Sequence, residues 1–277
     1  MHSLYVDQFQ SLVADLRDVW DVVYDDLDHM PYDMDWNNRR IILNNYGLRP
    51  ESALQSYYFK PQIELAYAES LRMARSVEIL IDCLADFHPE TILLIGRICV
   101  ADACIHKILY AWQERLNQNP TPWKHILCGE DSDVALAFIN GLEKLLASGC
   151  SEKIATQKAM AIAFNTWFAC ADKKRNCDHD TLNLIDDMVP RRTDMALSRL
   201  SLEAKTLSSL TFITGEKISY LDGPHQKDIL KNRYYAQCDD VINQTHLTQI
   251  LNDMDTITVG QIAFRDIDLA KRFLIAE

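Results

Sequence analysis

Asp102, His106 and Gln113 form a polar line on a stretch, Pro89 to Leu116, that is otherwise apolar on nearly every side. At ~100° per residue the three share one side of a helix, with hydrophobic residues flanking them. Buried polar side chains need partners, so this line must meet water, a ligand, a metal or polar groups on a neighbouring helix. Two chemistries follow. Asp102 and His106, four apart, can satisfy each other as a structural pair. Alternatively both face a cavity, His106 as general base or ligand and Asp102 as second ligand or as the group that orients the imidazole.

The elements that would position this line are helices. Pro61 opens a long helical pattern ending near Phe87, and the His88-Pro89 joint is so short that the next stretch must return antiparallel to it. Pairing about residue 88 sets Ser70 to Ala74 level with Asp102 to His106. Glu69 thereby joins Asp102 and His106 as a candidate catalytic residue. Arg72 and Gln113 become candidates for substrate binding, Arg72 through an anionic group.

A second feature is charge. The first 35 residues carry nine Asp against Arg17 alone. From Ser3 to about Asp28 the apolar residues repeat at three- and four-residue spacing, which predicts an amphipathic helix with an acidic face. Asp is a poor helix former and is unfavourable at a helix C-terminus, so local stability does not explain this excess. Asp15, Asp18, Asp21, Asp25, Asp26 and Asp28 are therefore candidates for binding a protein partner with a basic surface. A solvated, solubilising face is the plainer alternative.

Along the rest of the chain, Met30 to Asp35 reads as a loop and Asn38 to Asn45 as a short helix stopped by Gly47. Helices are predicted over Ser132 to Ser148, closed by Gly149, from Ser151 through AMAIAFNTWFAC, over Thr181 to Val189 and over Arg191 to Leu210. The run Cys177-Asp178-His179-Asp180 reads as a helix end followed by an N-cap, since no matching cluster stands at zinc-site spacing. TFITGEKISYLDGP has the β-branched residues and Gly stops of a loop or small hairpin, and Pro224 then starts a helix through about Cys238. The fold expected is all-α: an irregular multi-helix bundle around a buried central helix, about 90–116, with at most a small β hairpin in the C-terminal part. Its expected organisation is an acidic helix and short helices over 1–60, a helical core over 61–210, and a mixed extension over 211–277 that packs back on the core.

Composition excludes several function classes. The net charge is −12 and the pI about 5.1, so nucleic acid binding by direct charge attraction is not expected. No apolar run reaches the ~18 residues of a membrane span. Eight cysteines without a C-x-x-C read as small buried hydrophobes in a reducing compartment, which implies a cytoplasmic protein, with secretion into another cell left open. No Walker, Rossmann, G-x-S-x-G, kinase or EF-hand pattern occurs, and there is no internal repeat. The sequence leaves the oligomeric state open.

The features FHPETILLIGRICVADACIHKILYAWQER, Thr121-Pro122-Trp123 and AMAIAFNTWFACADKK resemble, over about residues 60–190, an uncharacterised bacterial family described as metallopeptidases. The resemblance implies a helix bearing an HExxH-like motif, followed by a helix with an acidic-Ala-Asp-Ala segment. The matching positions read Ala68-Glu69-Ser70-Leu71-Arg72 and Val100-Ala101-Asp102-Ala103. HExxH works because two His one turn apart share a metal while the Glu activates a bound water. Ala68 and Arg72 cannot ligate zinc, so neither a metal nor another cofactor is expected. The reading that follows is a non-catalytic interaction module on a degenerate metallopeptidase-like scaffold, binding a partner through its acidic surface or a remodelled cleft. Its alternative is a hydrolase with a polar site built from Glu69, Asp102 and His106.

Overall fold

A computed structural model describes residues 6–188, 202–213, 218–254, 257–259 and 262–264. In chain order the elements begin with α1 (Val6–Leu16), β1 (Asp21–Asp25), β2 (Tyr32–Asp35), β3 (Arg40–Asn44), α2 (Pro50–Gln55) and α3 (Phe59–Leu80). The middle of the chain forms α4 (Pro89–Leu116), α5 (Thr121–Leu127), α6 (Ser132–Ala147), α7 (Glu152–Ala169) and α8 (Ala171–Met188). After these come α9 (Ala204–Leu210), β4 (Phe212–Ile213), β5 (Ile218–Ser219), α10 (Gly223–Lys231), α11 (Arg233–Ala236), α12 (Val241–Met254), β6 (Ile257–Val259) and β7 (Ile262–Phe264). Helix thus dominates the described residues, with a small strand part in one three-stranded and two two-stranded sheets.

The chain divides into two compact units. The first holds Met1–Ile81, Ile98–Cys170 and Glu203–Asp228, and the second Asp82–Arg97, Ala171–Leu202 and Ile229–Glu277. Helix α4 runs through both. Its residues Leu93, Leu94, Ile95, Ile98, Cys99, Ile105, Ile108 and Leu109 are buried, as expected of a helix that is apolar all round.

In the first unit, α1 and the three-stranded sheet pack on α3. Leu12, Leu16, Trp20, Ile41 and Leu43 close a core with Ile63, Ala66, Leu71, Ala74 and Val77. The sheet has the order β1-β3-β2, with β1 parallel and β2 antiparallel to β3. Helices α6 and α7 pack as an antiparallel pair. At the turn between them Gly149 has φ +85, and its amide bonds the Leu146 carbonyl while that of Cys150 bonds Leu145, so left-handed backbone closes α6 as its sequence indicates. Strands β4 and β5 form the small hairpin foreseen in TFITGEKISYLDGP.

Several expectations require correction. The acidic N-terminal helix does not run from Ser3 to Asp28: its predicted start lies outside the described residues, α1 ends at Leu16, and β1 follows. Val22-Val23-Tyr24 prefers a strand, and the run of Asp disfavours continuing the helix. Met30 to Asp35, expected as a loop, contributes β2, and Asn38 to Asn45, expected as a helix, contributes β3. A short run such as Ile41-Ile42-Leu43 suits a buried strand as well as a helix, and its pairing with β1 decides the matter. Strands therefore extend well beyond one C-terminal hairpin. Helix α3 stops at Leu80 instead of Phe87, leaving a longer connection to α4 with a single 3-10 turn at Leu84–Asp86. Cys177 to Asp180 lies inside a continuous α8, not at a helix end, and the Pro224 helix is split into α10 and α11. Of the helix expected over Arg191 to Leu210, only α9 falls among the described residues.

Within the second unit, α4 meets α8 at Gly96. A methyl group on Gly96 would lie 2.5 Å from Thr181 Oγ1, and that hydroxyl is already held by the Cys177 carbonyl at 2.8 Å. On an open helix surface Gly→Ala stabilises by about 1 kcal/mol. Here the sign should reverse: Gly96→Ala should lower the urea-unfolding free energy by about 1–3 kcal/mol. Adding Thr181→Ala should restore most of it.

Candidate functional site

The polar line on α4 lies where α3, α4 and the β4–β5 region meet in the first unit. Asp102 is fully buried, and its partner is Arg72 from α3, buried to the same degree. The Arg72 Nε donates to Asp102 Oδ2 in a charge-assisted bond. Arg72 Nη2 donates to the carbonyls of Leu210 and Phe212, both at 2.9 Å, and its guanidinium lies over the Phe212 ring. Tyr220, just after β5, donates its hydroxyl to Asp102 Oδ1 at 3.0 Å. Burial first, then the Asp102 charge, hold this phenol well above its usual pKa, so it remains a donor. Each Asp102 oxygen thus has its own donor.

His106 does not share the Asp102 carboxylate as a hydrogen-bonded pair. Its Nδ1 lies 2.9 Å from the Asp102 backbone carbonyl and 3.6 Å from Oδ1. A carbonyl only accepts, so Nδ1 carries the proton and Nε2 presents a bare lone pair. Nε2 is buried without a hydrogen-bond partner, as is Nε2 of Gln113 one step further along the line. Burial, and next the Arg72 guanidinium, push the imidazole down to about 4.

Glu69 belongs to a different cluster. Its carboxylate accepts from Lys107 Nζ at 2.7 Å, and Lys107 also reaches Asp131 at 2.8 Å. Burial alone would lower the Lys107 pKa, but the two carboxylates together hold it well above the usual value. Lys107 is therefore a buried charge balanced by two acids. No hydrogen bond or ion pair joins Glu69 to Asp102 or His106 among the described residues. The structure brings Asp102 and His106 together with Arg72 and leaves Glu69 apart. Nor is Arg72 presented to an anionic substrate, because its donors are spent on Asp102 and two carbonyls.

These residues do not fit a metal. Position 68 offers a methyl group, and position 72 places a fixed cation on the one buried carboxylate a metal would need. What the cluster does is bind α3, α4 and the β4–β5 region into one piece.

Sequence reasoning missed Tyr220 and a second cluster of the same kind in the second unit. Arg97 is fully buried and makes a two-pronged contact with Asp178 at 2.6 and 2.7 Å. It also donates to the carbonyls of Tyr235 and Gln237 at 2.5 and 3.0 Å. The signal was present in ILLIGRICV: an arginine amid so apolar a run demands a buried acid.

Of the surface candidates, Asp15 lies on α1, Asp18 in the turn after it, Asp21 and Asp25 on β1, and Asp26 and Asp28 in the loop that follows. All six are exposed. Asp18 lies 3.6 Å from Arg17, and the other five make no ion pair among the described residues. All eight cysteines are free thiols, with Cys99, Cys104, Cys177 and Cys238 buried. No described helix is long and apolar enough to cross a membrane. Comparison with protein-family models, with curated proteins and with solved structures gives no match.

Two outcomes follow from the buried cluster. Arg72→Met should lower stability by about 3–5 kcal/mol in urea unfolding, because it strands the Asp102 charge. The double change Arg72→Met/Asp102→Leu should be less damaging than that single change, though still below wild type because Tyr220 and two carbonyls lose partners; a sum of the two single losses would refute the coupling.

The second concerns pH. His106 has a folded pKa of about 4 against an ordinary 6.5, so the unfolded chain takes up its proton first. Its contribution to stability is full above about pH 6.5 and is lost as pH falls toward 4. Between pH 7 and pH 4.5, wild type should lose about 2–3 kcal/mol more than His106→Gln.

Proposed function

We propose that the protein is a non-catalytic interaction module on a degenerate metallopeptidase-like helical scaffold, and that it binds a partner with a basic surface through the acidic face on and around β1. The observation that carries this reading is the contrast in how acids are used. The buried acids Asp102 and Asp178 each hold an arginine, whereas Asp15, Asp21, Asp25, Asp26 and Asp28 stand exposed and make no ion pair among the described residues. Uncompensated charge of one sign attracts a partner of the other and steers its approach. The degenerate-scaffold part rests on the sequence resemblance alone; Arg72, at the position where the HExxH-like motif would supply its second histidine, puts a guanidinium on Asp102 and accounts only for the word degenerate.

The hydrolase reading rests on one favourable observation, the bare Nε2 of His106. It is opposed by the commitment of Glu69 to Lys107 and of Asp102 to Arg72 and Tyr220, which leaves no free carboxylate beside that base.

The test uses charge-matched variants. Changing Asp15, Asp18, Asp21, Asp25, Asp26 and Asp28 to Asn should weaken binding of poly-L-lysine at low salt by at least roughly tenfold, with the difference shrinking as salt rises. A control in which Glu51, Asp82, Glu90, Glu143, Glu152 and Glu203, all exposed, become amides makes the same change in net charge. It should bind nearly as wild type. Equal losses in the two variants would reduce the acidic face to general solubility.

A further inference from the structure

Strand β1 stands at one end of its sheet. Among the described residues the order β1-β3-β2 gives it a neighbour on one side only. Its register with β3 fixes which backbone groups are used. The Asp21 amide bonds the Arg39 carbonyl and the Asp25 carbonyl accepts from the Asn45 amide, each at 2.9 Å. In a parallel ladder alternate residues point both their N–H and C=O to the same side. Asp21, Val23 and Asp25 therefore face β3, and the N–H and C=O groups of Val22 and Tyr24 point to the open edge.

The side chains along this edge follow a pattern. Val22 and Val23, on opposite faces of the strand, are 37% and 38% exposed, so each face is partly open at this edge. Tyr24 packs on the core. At both ends stand exposed carboxylates, Asp18 and Asp21 before the valines and Asp25 and Asp26 after them. Natural edges are commonly blunted by charges that forbid pairing. The charges on the strand itself are negative and lie at its ends, with Arg17 beside Asp18 and Arg40 of β3 opposite Asp21, while the middle, Val22-Val23-Tyr24, is uncharged. Such an edge repels a second copy of itself and accepts a strand of opposite charge.

We infer that β1 takes an additional strand: an extended basic segment of a partner pairs with the open amides and carbonyls of Val22 and Tyr24, its end residues beside Asp21 and Asp25 being Lys or Arg. This rests on the acidic-face reading and adds to it a backbone-directed mode of recognition. On the face that carries Asp21, Val23 and Asp25, the incoming strand would present basic, small and basic residues in turn. On the other face it would lay β-branched residues along Val22 and Tyr24.

The probe is the peptide acetyl-Lys-Lys-Val-Thr-Val-Lys-Lys-amide, compared with the same peptide carrying Pro-Pro-Pro in place of Val-Thr-Val, which has equal charge but, whichever way the strand runs, no central amide to donate to β1. At saturation with the first peptide, hydrogen exchange of the Val22 and Tyr24 amides should slow, while the Val23 amide, already held by β3, is unchanged. The Pro peptide should bind at least roughly tenfold more weakly. In the protein, Val22→Pro removes an outward amide without touching charge or the ladder to β3. It should cause a similar loss with an unaltered circular dichroism spectrum.

If both peptides bind equally and the Val22 and Tyr24 amides exchange as in the free protein, strand addition is overturned. The acidic-face reading then still stands, provided that binding falls when Asp18, Asp21, Asp25 and Asp26 become Asn. If the Asn variant also binds both peptides as wild type does, both readings fall together. Should Val22→Pro disturb folding, the exchange measurement on wild type decides alone.

Discussion

The Arg72–Asp102 pair is the interaction on which the first unit depends. Each charge is useless and costly alone in so dry a place, and each becomes tolerable only because the other elements supply the rest of its partners. Asp102 needs the Tyr220 hydroxyl for its second oxygen, and Arg72 needs the Leu210 and Phe212 carbonyls for its remaining donors. A helix pair of generic apolar surfaces could slide by a turn with modest loss. With this network in place a slip would strand a carboxylate and a guanidinium together, so the network sets the register of α3 against α4.

The same device recurs in the second unit with different residues. Arg97 on α4 holds Asp178 on α8 and gathers the carbonyls of Tyr235 and Gln237 around α11. Gly96, next to it, lets α8 approach closely enough for the bond to form. In both places a planar guanidinium does what lysine cannot, meeting a carboxylate and two carbonyls at once from one rigid fork. Lys107 shows the contrast: it balances Glu69 and Asp131 as a point charge and, among the described residues, gathers no backbone.

What could be read in the sequence was local. Helices α4, α6 and α7 and the β4–β5 hairpin follow from periodicity, from Gly149 and from the β-branched TFIT segment. The need for polar partners along Asp102, His106 and Gln113 was also visible. The partner of Asp102 was not. Arg72 stood at the right height but read as a group for holding a ligand, and Tyr220 lies 118 residues away along the chain. The three-stranded sheet was hidden for a related reason. Val22-Val23-Tyr24 and Ile41-Ile42-Leu43 each suit a helix face as well as a strand, and only their direct parallel pairing, with β2 between them in the chain but not in the sheet, settles the choice.

The spacing of the two arginine clusters bears on how the chain comes off the ribosome. Arg72 bonds carbonyls 138 and 140 residues downstream, and Arg97 does the same at the same separations. A nascent chain that has emerged only as far as α8 already holds both guanidiniums, yet none of their carbonyl acceptors has been made. Until those appear, the charged groups keep their hydration and the helices around them stay short of native packing. The carbonyls of Leu210 and Phe212 in one unit, and of Tyr235 and Gln237 in the other, are thus late-made latches, and each buried arginine is fully partnered only after its own pair has been synthesised.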